Sequence, residues 1–117
     1  MTPDIDVEAP RFEFKYPNVD VTTNIPKLNI QVKEDSTVYY VVMPSDSQVP
    51  DEKLLLDYQN TDTSLVKARG EINLQKNIAQ SINMGGLQPQ MKYIVYLVLK
   101  DQQYNYSAVE WREFTTK

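Results

Sequence analysis

The fold is decided at Leu87-Gln88-Pro89-Gln90-Met91-Lys92-Tyr93 and in the apolar run that follows, Ile94-Val95-Tyr96-Leu97-Val98-Leu99. The first stretch has the spacing Leu-x-Pro-x-x-x-Tyr, which is typical of a tyrosine corner. In that motif a tyrosine at the start of a strand turns its ring into the core and bonds its hydroxyl to upstream backbone. The ring also brings a large apolar burial. The sequence therefore predicts a structural tyrosine corner formed by Leu87, Pro89 and Tyr93.

The rest of the chain alternates short strand patterns with turn residues. Residues 37–43 are mostly apolar at both odd and even positions and rich in β-branched and aromatic side chains. This pattern indicates a strand that is covered on both faces. Residues 91–100 show the same two-sided pattern. Shorter strand patterns lie at 12–16, 19–21, 28–32, 72–74, 78–84 and 107–116. About seven short strands at near-regular spacing predict an all-β fold, an antiparallel β-sandwich.

One short helix is predicted near 51–58. Pro50 fits a first helical turn, and Asp51 and Glu52 favour the positive end of the helix dipole. A helix of about two turns is unstable alone and must pack on the sheet. The outer faces of strands 37–43 and 91–100 form an apolar surface if these strands are neighbours. We expect the helix to cover it with its three leucines, Leu54, Leu55 and Leu56.

Length and composition indicate a single domain preceded by a short arm. The 117 residues fall within the usual size of one compact domain. Residues 1–9 are polar, acidic and bounded by prolines, so we interpret them as an acidic linker or disordered arm. Residues 10–117 form the predicted domain.

The composition excludes several classes of function. The chain has no Cys and no His, which rules out disulfides, thiolate nucleophiles and histidine-based acid/base chemistry. A net charge of -4 with scattered lysines makes nucleic acid a poor partner. No run of 18 apolar residues exists, so no membrane insertion is expected. The lack of His and Cys disfavours an enzyme without forbidding one, since carboxylates remain; we predict no enzyme activity and no cofactor.

Two acidic or glycine-containing motifs have simple structural interpretations. Five aspartates, Asp46, Asp51, Asp57, Asp62 and Asp101, raise the question of calcium. They lack the close spacing of a calcium loop, so turn chemistry is the better interpretation and no metal site is predicted. Ala68-Arg69-Gly70-Glu71 differs by one methylene from the integrin-type Arg-Gly-Asp motif. We interpret Gly70 as a turn or bulge residue.

Three aromatic residues in or beside the last hairpin are candidate ligand contacts: Tyr104, Tyr106 and Trp111. Aromatic rings on a sandwich surface stack on sugars or anchor a protein partner. The alternative, which we favour, is that Tyr106 and Trp111 pack within the sandwich or against the linker.

The leucine–proline–tyrosine stretch resembles the junction between the fifth and sixth strands of fibronectin type III domains. The ending Glu113-Phe114-Thr115-Thr116 resembles the closing strand of that family. Five features then occur in a fixed order along the chain. They are Phe14-Lys15-Tyr16-Pro17, the strand pattern at 36–44, the short helix, the tyrosine corner and the hairpin at 101–107. Over about residues 10–117 this order resembles the fibronectin-like modules of large bacterial cell-surface and S-layer-type proteins.

The resemblance implies an immunoglobulin-like, fibronectin type III-like sandwich with no catalytic residues. It implies a spacer or interaction module of a longer exported protein, at the cell surface or extracellular, and a monomer as an isolated domain. Its partners would be neighbouring domains of the same polypeptide, and a cell-surface protein or glycan. The alternative function is a carbohydrate- or cell-wall-binding module that uses the surface aromatics.

The last strand departs from the family pattern. Family members usually have an apolar residue two positions before the final phenylalanine, whereas this chain has Arg112 there and Trp111 one position earlier. Either a bulge changes the register of the strand, or Trp111 faces outward.

Overall fold

Seven strands make up the regular structure of the described residues. The structure is a computed structural model, and it describes residues 10–45 and 67–117. The strands are β1 Asn18–Asp20, β2 Lys27–Ile30, β3 Ser36–Pro44, β4 Ala68–Leu74, β5 Gln80–Asn83, β6 Lys92–Lys100 and β7 Glu110–Thr115. The predicted all-β fold is confirmed. Residues 1–9, predicted as an arm, and the helix predicted near 51–58 lie outside the described residues.

The strands form two antiparallel sheets. One has three strands in the order β1-β2-β5, and the other has four in the order β4-β3-β6-β7. The two long strands, β3 and β6, pair at the centre of the larger sheet, where Tyr40 lies opposite Leu97. Their two-sided apolar sequences suit this position, because both faces of a central strand must be covered. The β-sandwich prediction is therefore confirmed.

The main core lies between the two sheets. Alternation along β6 sends Tyr93, Val95, Leu97 and Leu99 inward, and all four are at most 1% exposed. Opposite them the smaller sheet contributes Leu28, Ile30 and Ile82 among others. The rings of Tyr93 and Phe114 stack with their centroids 6.0 Å apart. The corner tyrosine and the closing strand thus share one core.

A second apolar cluster lies on the outer face of the larger sheet. It consists of Val41, Met43, Tyr96 and Val98, each at most 4% exposed. The expectation that the two long strands are neighbours is confirmed, since Val41 lies opposite Tyr96. That Leu54, Leu55 and Leu56 cover this face stays a prediction, because these residues lie outside the described part of the chain.

The prediction of a strand at 12–16 is wrong. Phe12 forms a single antiparallel bridge with Val32, and the chain then turns, with the Tyr16 amide donating to the Glu13 carbonyl 3.0 Å away. Lys15 has a left-handed φ of 74°, which no strand residue adopts. The ring of Phe14 is 82% exposed at this turn. The alternating pattern was too short to distinguish a strand from a turn with an exposed aromatic.

Gly70 is not in a turn or bulge, contrary to the prediction. It lies inside β4 in regular register, directly opposite Tyr40. A Cβ built on Gly70 would lie 2.9 Å from the Tyr40 hydroxyl and 2.9 Å from its Cε1. The glycine is there because the Tyr40 ring packs over its backbone.

The register of β7 decides between the two alternatives for Trp111. Pairing with β6 runs without a bulge, placing Trp111 opposite Tyr96 and Arg112 opposite Val95. Trp111 therefore points to the outer face and is 57% exposed. Arg112 points toward the three-stranded sheet, where its Nε donates to the Pro17 carbonyl 2.8 Å away. This bond links the edges of the two sheets.

The described chain begins and ends at opposite ends of the sandwich. The Lys33 amide donates to the Arg11 carbonyl at the end where β3 begins. The Thr116 amide donates to the Met91 carbonyl at the end where β6 begins. β3 and β6 are antiparallel, so these two points are separated by the length of the long strands.

Candidate functional site

A concave groove of about 480 Å³ lies at the end of the larger sheet where β3 begins and β4 and β6 end. We call it the Tyr104 groove. The lining side chains used below are Asp35, Thr37, Asn73, Gln75, Lys100, Gln102 and Tyr104. Most carry hydroxyl, amide or charged groups, so the groove is polar with one large aromatic residue.

Three cross-strand neighbours form the floor of the groove. Asn73 of β4 lies opposite Thr37 of β3, which lies opposite Lys100 of β6. The Thr37 hydroxyl donates to Asn73 Oδ1 at 2.9 Å. The Asn73 NH2 group, and the side-chain amides of Gln75 and Gln102, have no hydrogen-bond partner among the described residues. The groove therefore presents amide donors and acceptors that are open to a ligand.

The loop after β6 is organised by one buried carboxylate. Asp101 is 3% exposed. Its Oδ1 accepts from the amides of Gln103 at 2.9 Å and Asn105 at 2.8 Å, and its Oδ2 accepts from Asn105 Nδ2 at 3.0 Å. Hydrogen bonds of this kind satisfy a carboxylate removed from water. The backbone of this loop is thereby fixed around Asp101.

Tyr104 is held at the tip of that loop in an unusual conformation. Its φ is 62°, in the left-handed region that favours glycine. Its amide donates to the Asp101 carbonyl at 3.2 Å. The ring is 71% exposed, so it gains little from burial. A bulky residue in this backbone region is an outlier of the kind found at ligand clamps.

Lys100 lies between two tyrosine rings. Its Nζ is 5.5 Å from the ring centroid of Tyr39 and 5.1 Å from that of Tyr104. A hydrogen bond with Tyr39 is the main cause that raises the pKa of Lys100, and desolvation opposes it. The ammonium therefore stays charged at neutral pH and lies over one face of Tyr104. No local sequence pattern predicts the contact between Lys100 and Tyr39, because Tyr39 is 61 positions earlier on another strand.

The structure brings together two of the three predicted contact aromatics and separates the third. Tyr106 forms an isolated bridge with Lys100 and is 38% exposed, so it lies beside Tyr104 near the groove. Trp111 lies opposite Tyr96, four residues before Lys100 on β6, or about 13 Å away along the strand. Trp111 lies on the same outer face of the larger sheet as Lys100, but this separation leaves it out of the lining of the groove, although all three rings are exposed.

A second, wider groove of about 810 Å³ lies between residues 10–18 and the start of β7. One of its charged side chains, Arg112, is already engaged: Nη1 donates to the Trp111 carbonyl at 2.7 Å and pairs with Glu110 at 3.4 Å. Together with the bond to Pro17, these contacts give Arg112 a structural role. The sequence identified Arg112 only as a departure from a pattern.

The residues of the predicted corner meet at the opposite end of β6. Tyr93 is 1% exposed, and its hydroxyl accepts from the Gln88 amide at 2.9 Å. Leu87 packs against the main core, and Pro89 begins the turn that precedes β6. These contacts are the geometry by which a tyrosine corner is defined.

Thr116, which no sequence pattern indicated, stabilises the same turn. Its hydroxyl donates to the Gln88 carbonyl at 2.6 Å and accepts from the Met91 amide at 2.9 Å. The residue is 5% exposed. A threonine two residues after the final phenylalanine was the available signal, but it has no meaning until the register of β7 is known.

Among residues 10–45 and 67–117, no group of three or more acidic side chains is placed to hold a metal ion. Of the five aspartates considered for calcium, Asp101 stabilises its own loop, and the other four lie outside that range. No helix in the same ranges has the length and apolar character to cross a membrane. Comparisons of the sequence with protein-family models and with curated proteins find no match.

Proposed function

We propose that this chain is a non-catalytic, fibronectin type III-like module that acts as a spacer and interaction domain of a larger bacterial surface or secreted protein. The observation that carries the proposal is the corner at Leu87, Pro89 and Tyr93. It lies between β5 and β6, the fifth and sixth strands, which is the position that the family resemblance implies. The division of seven strands into sheets of three and four supports the same family.

The mechanism of a spacer is geometric. The chain enters beside Lys33 and leaves beside Met91, at opposite ends of the long strands. Nine residues of β3 or β6 span about 30 Å. A core shared by both sheets keeps this distance fixed, so neighbouring domains of the same polypeptide would be held apart along one axis.

Spin-label distances test the spacer mechanism. The chain has no cysteine, so the double variant Arg11→Cys/Lys117→Cys carries two unique labels at exposed positions. We expect one narrow distance distribution centred at about 30 Å or slightly more. The matched control Arg11→Cys/Lys33→Cys labels two positions at the same end, whose backbones lie only about 5 Å apart. Its label-to-label distance should therefore be much shorter. A broad distribution for the first pair would rule out a rigid spacer.

The coding sequence on either side of this segment tests the proposed compartment. An exported surface protein requires an export signal upstream and further folded modules or an anchor alongside. Finding these would support an extracellular or cell-surface location and neighbouring domains as partners. An isolated reading frame with no export signal would contradict both.

Carbohydrate or cell-wall binding is the second candidate function. The observation that favours it is the polar Tyr104 groove, with an exposed aromatic ring beside amide side chains. Such a mixture is suited to a ligand with both C–H faces and hydroxyl groups. This function is compatible with a spacer, because the groove lies on a surface loop and not in the core.

A further inference from the structure

We propose that the Tyr104 groove is a binding site for a neutral saccharide, in which Tyr104 stacks on a pyranose ring and the neighbouring amides bond its hydroxyls. The inference rests on carbohydrate binding, the second candidate function, and makes it specific. It assigns the site to Tyr104 with Lys100, Thr37, Asn73, Gln75 and Gln102. It excludes Trp111, which the sequence had grouped with Tyr104.

The groove has the size and form of a small-ligand site. Its volume of about 480 Å³ lies within the range of roughly 300 to 1,000 Å³ that is usual for such sites. Its floor is formed by Asn73, Thr37 and Lys100, and one side is formed by the loop that carries Tyr104. The groove is open at the surface, so it can take the end or an internal unit of an oligosaccharide.

The ring of Tyr104 provides a stacking surface. Lys100 Nζ lies over one of its faces, 5.1 Å from the centroid. A ring that is 71% exposed has its opposite face open to solvent. The C–H groups on one side of a pyranose fit such a face, and covering it removes apolar area from water.

The loop presents this ring already ordered. Asp101 fixes the backbone on both sides of Tyr104 through Gln103 and Asn105. A binding residue that is held in place before the ligand arrives loses less conformational entropy on binding. The left-handed backbone of Tyr104 directs a large ring into solvent where glycine would be the unstrained choice.

The charges favour a neutral sugar over an acidic one. Lys100 is the one cation lining the groove in the described part of the chain, and it already lies between Tyr39 and Tyr104. Asp35 and Asp101 bring negative charge to the same lining. An anionic ligand would therefore be attracted by one occupied ammonium and repelled by two carboxylates. The open amides of Asn73, Gln75 and Gln102 suit hydroxyl groups, which both donate and accept.

Nuclear magnetic resonance titration of the full chain tests the site. The probes are cellobiose, lactose, maltose and N,N′-diacetylchitobiose, with the hyaluronan disaccharide as the acidic comparison. We expect at least one neutral probe to shift the amide signals of Thr37, Asn73 and Gln102 at concentrations up to about 20 mM, which covers millimolar dissociation constants. No shift of these signals by any of the four neutral sugars would overturn the proposal. Tighter binding of the hyaluronan disaccharide would also overturn it.

Three variants locate the contact. Tyr104→Gly removes the ring while keeping a residue that accepts the left-handed backbone, so the loop should stay folded. We expect it to weaken binding by at least about tenfold, and Tyr104→Phe to stay within about threefold of the parent. Trp111→Ala is the matched control, since it removes another exposed ring outside the groove, and should leave binding unchanged. Loss of binding in Trp111→Ala, with full binding in Tyr104→Gly, would contradict the assignment.

A loss of saccharide binding can be distinguished from a failure of the spacer function. Tyr104 lies outside the core, so Tyr104→Gly should leave the spin-label distance between positions 11 and 117 unchanged. A chain with a narrow end-to-end distance and no saccharide shifts would keep the spacer function and lose this site.

Discussion

Two tyrosines at the two ends of β6 have opposite roles. Tyr93, near the start of the strand, is 1% exposed, and its hydroxyl is bonded to backbone. Tyr104, just beyond the end of the strand, is 71% exposed in a left-handed conformation. The first ring adds its apolar area to the core, whereas the second adds little and occupies a strained backbone position.

This contrast teaches that residue type alone does not identify function in this chain. The corner end stabilises the sandwich, because its contacts are buried and satisfied. At the loop end, the buried carboxylate of Asp101 orders the backbone around Tyr104, a residue that remains in solvent. Stability and ligand binding are therefore expected to respond to different substitutions at the two ends.

Removal of the ring at each end should give the largest difference. Tyr93→Ala leaves a cavity in the shared core and should lower the free energy of unfolding by about 3–5 kcal/mol. Tyr104→Gly should change it by less than about 1 kcal/mol, in the stabilising direction, because glycine relieves the left-handed backbone. Urea unfolding of both variants checks this, and equal losses at the two positions would remove the distinction between the two ends.

Substitution of Asp101 should affect the loop end alone. Asp101→Ala removes the acceptor for the amides of Gln103 and Asn105 and should cost about 1–3 kcal/mol. Hydrogen exchange should accelerate at these amides and stay unchanged at the Gln88 amide, which is bonded to Tyr93. Asp35→Ala is the control, since Asp35 is exposed and accepts the Lys76 amide at 2.8 Å. Faster exchange at Gln88 would show that the two ends are coupled.

A third substitution tests packing between the two ends. Gly70→Ala places a methyl group within 2.9 Å of the Tyr40 ring and should cost about 1–2 kcal/mol, because that ring must move. Gly85→Ala is the matched control, since a Cβ there meets nothing within 4 Å. The double variant Gly70→Ala/Tyr40→Ala should lose less free energy of unfolding than the sum of the losses in the two single variants. Full additivity would contradict the proposed contact.

The smallest expected effect is the response to alkaline pH. Burial raises the pKa of Tyr40 and Tyr96 above the ordinary value for tyrosine of about 10, so the unfolded chain loses these protons first. The contribution of these two hydroxyls to stability should therefore be constant below about pH 9 and fall as the pH rises above 10. Lys100, whose pKa is also raised, acts in the same direction.

Comparison of variants isolates the tyrosine contribution to this pH response. Tyr40→Phe should reduce the slope of unfolding free energy against pH above pH 10. Val19→Ala, on the edge strand β1 that pairs with neither tyrosine's strand, should lower stability by the same amount at every pH. An identical slope in Tyr40→Phe and the parent would show that burial of the Tyr40 hydroxyl has no energetic effect.

The architecture was predictable from the sequence because its signals are local. The two-sided apolar runs at 37–43 and 91–100 predicted central strands, and β3 and β6 occupy that position. The short alternation at 12–16 failed, because a five-residue pattern is also compatible with a turn. The outward position of Trp111 followed once the β7 register was known.

The candidate site was only partly predictable, because its contacts are long-range. The sequence singled out Tyr104 as an aromatic residue in a hairpin, and the structure places it at a groove. The contributions of Asn73 and Thr37 come from β4 and β3 and depend on sheet order, which no local pattern encodes. The role of Lys100 likewise depends on Tyr39 across the sheet.

The bonded Tyr93 hydroxyl stabilises the connection between β5 of the smaller sheet and β6 of the larger sheet. The most direct test of this stabilisation is the unfolding midpoint of Tyr93→Phe, with Tyr104→Phe as the control at the other end of β6. We expect Tyr93→Phe to keep the native spectrum and lose about 1 kcal/mol of stability, while Tyr104→Phe matches the parent. An unchanged midpoint in Tyr93→Phe would show that the hydrogen bond of the Tyr93 hydroxyl does not stabilise the sandwich.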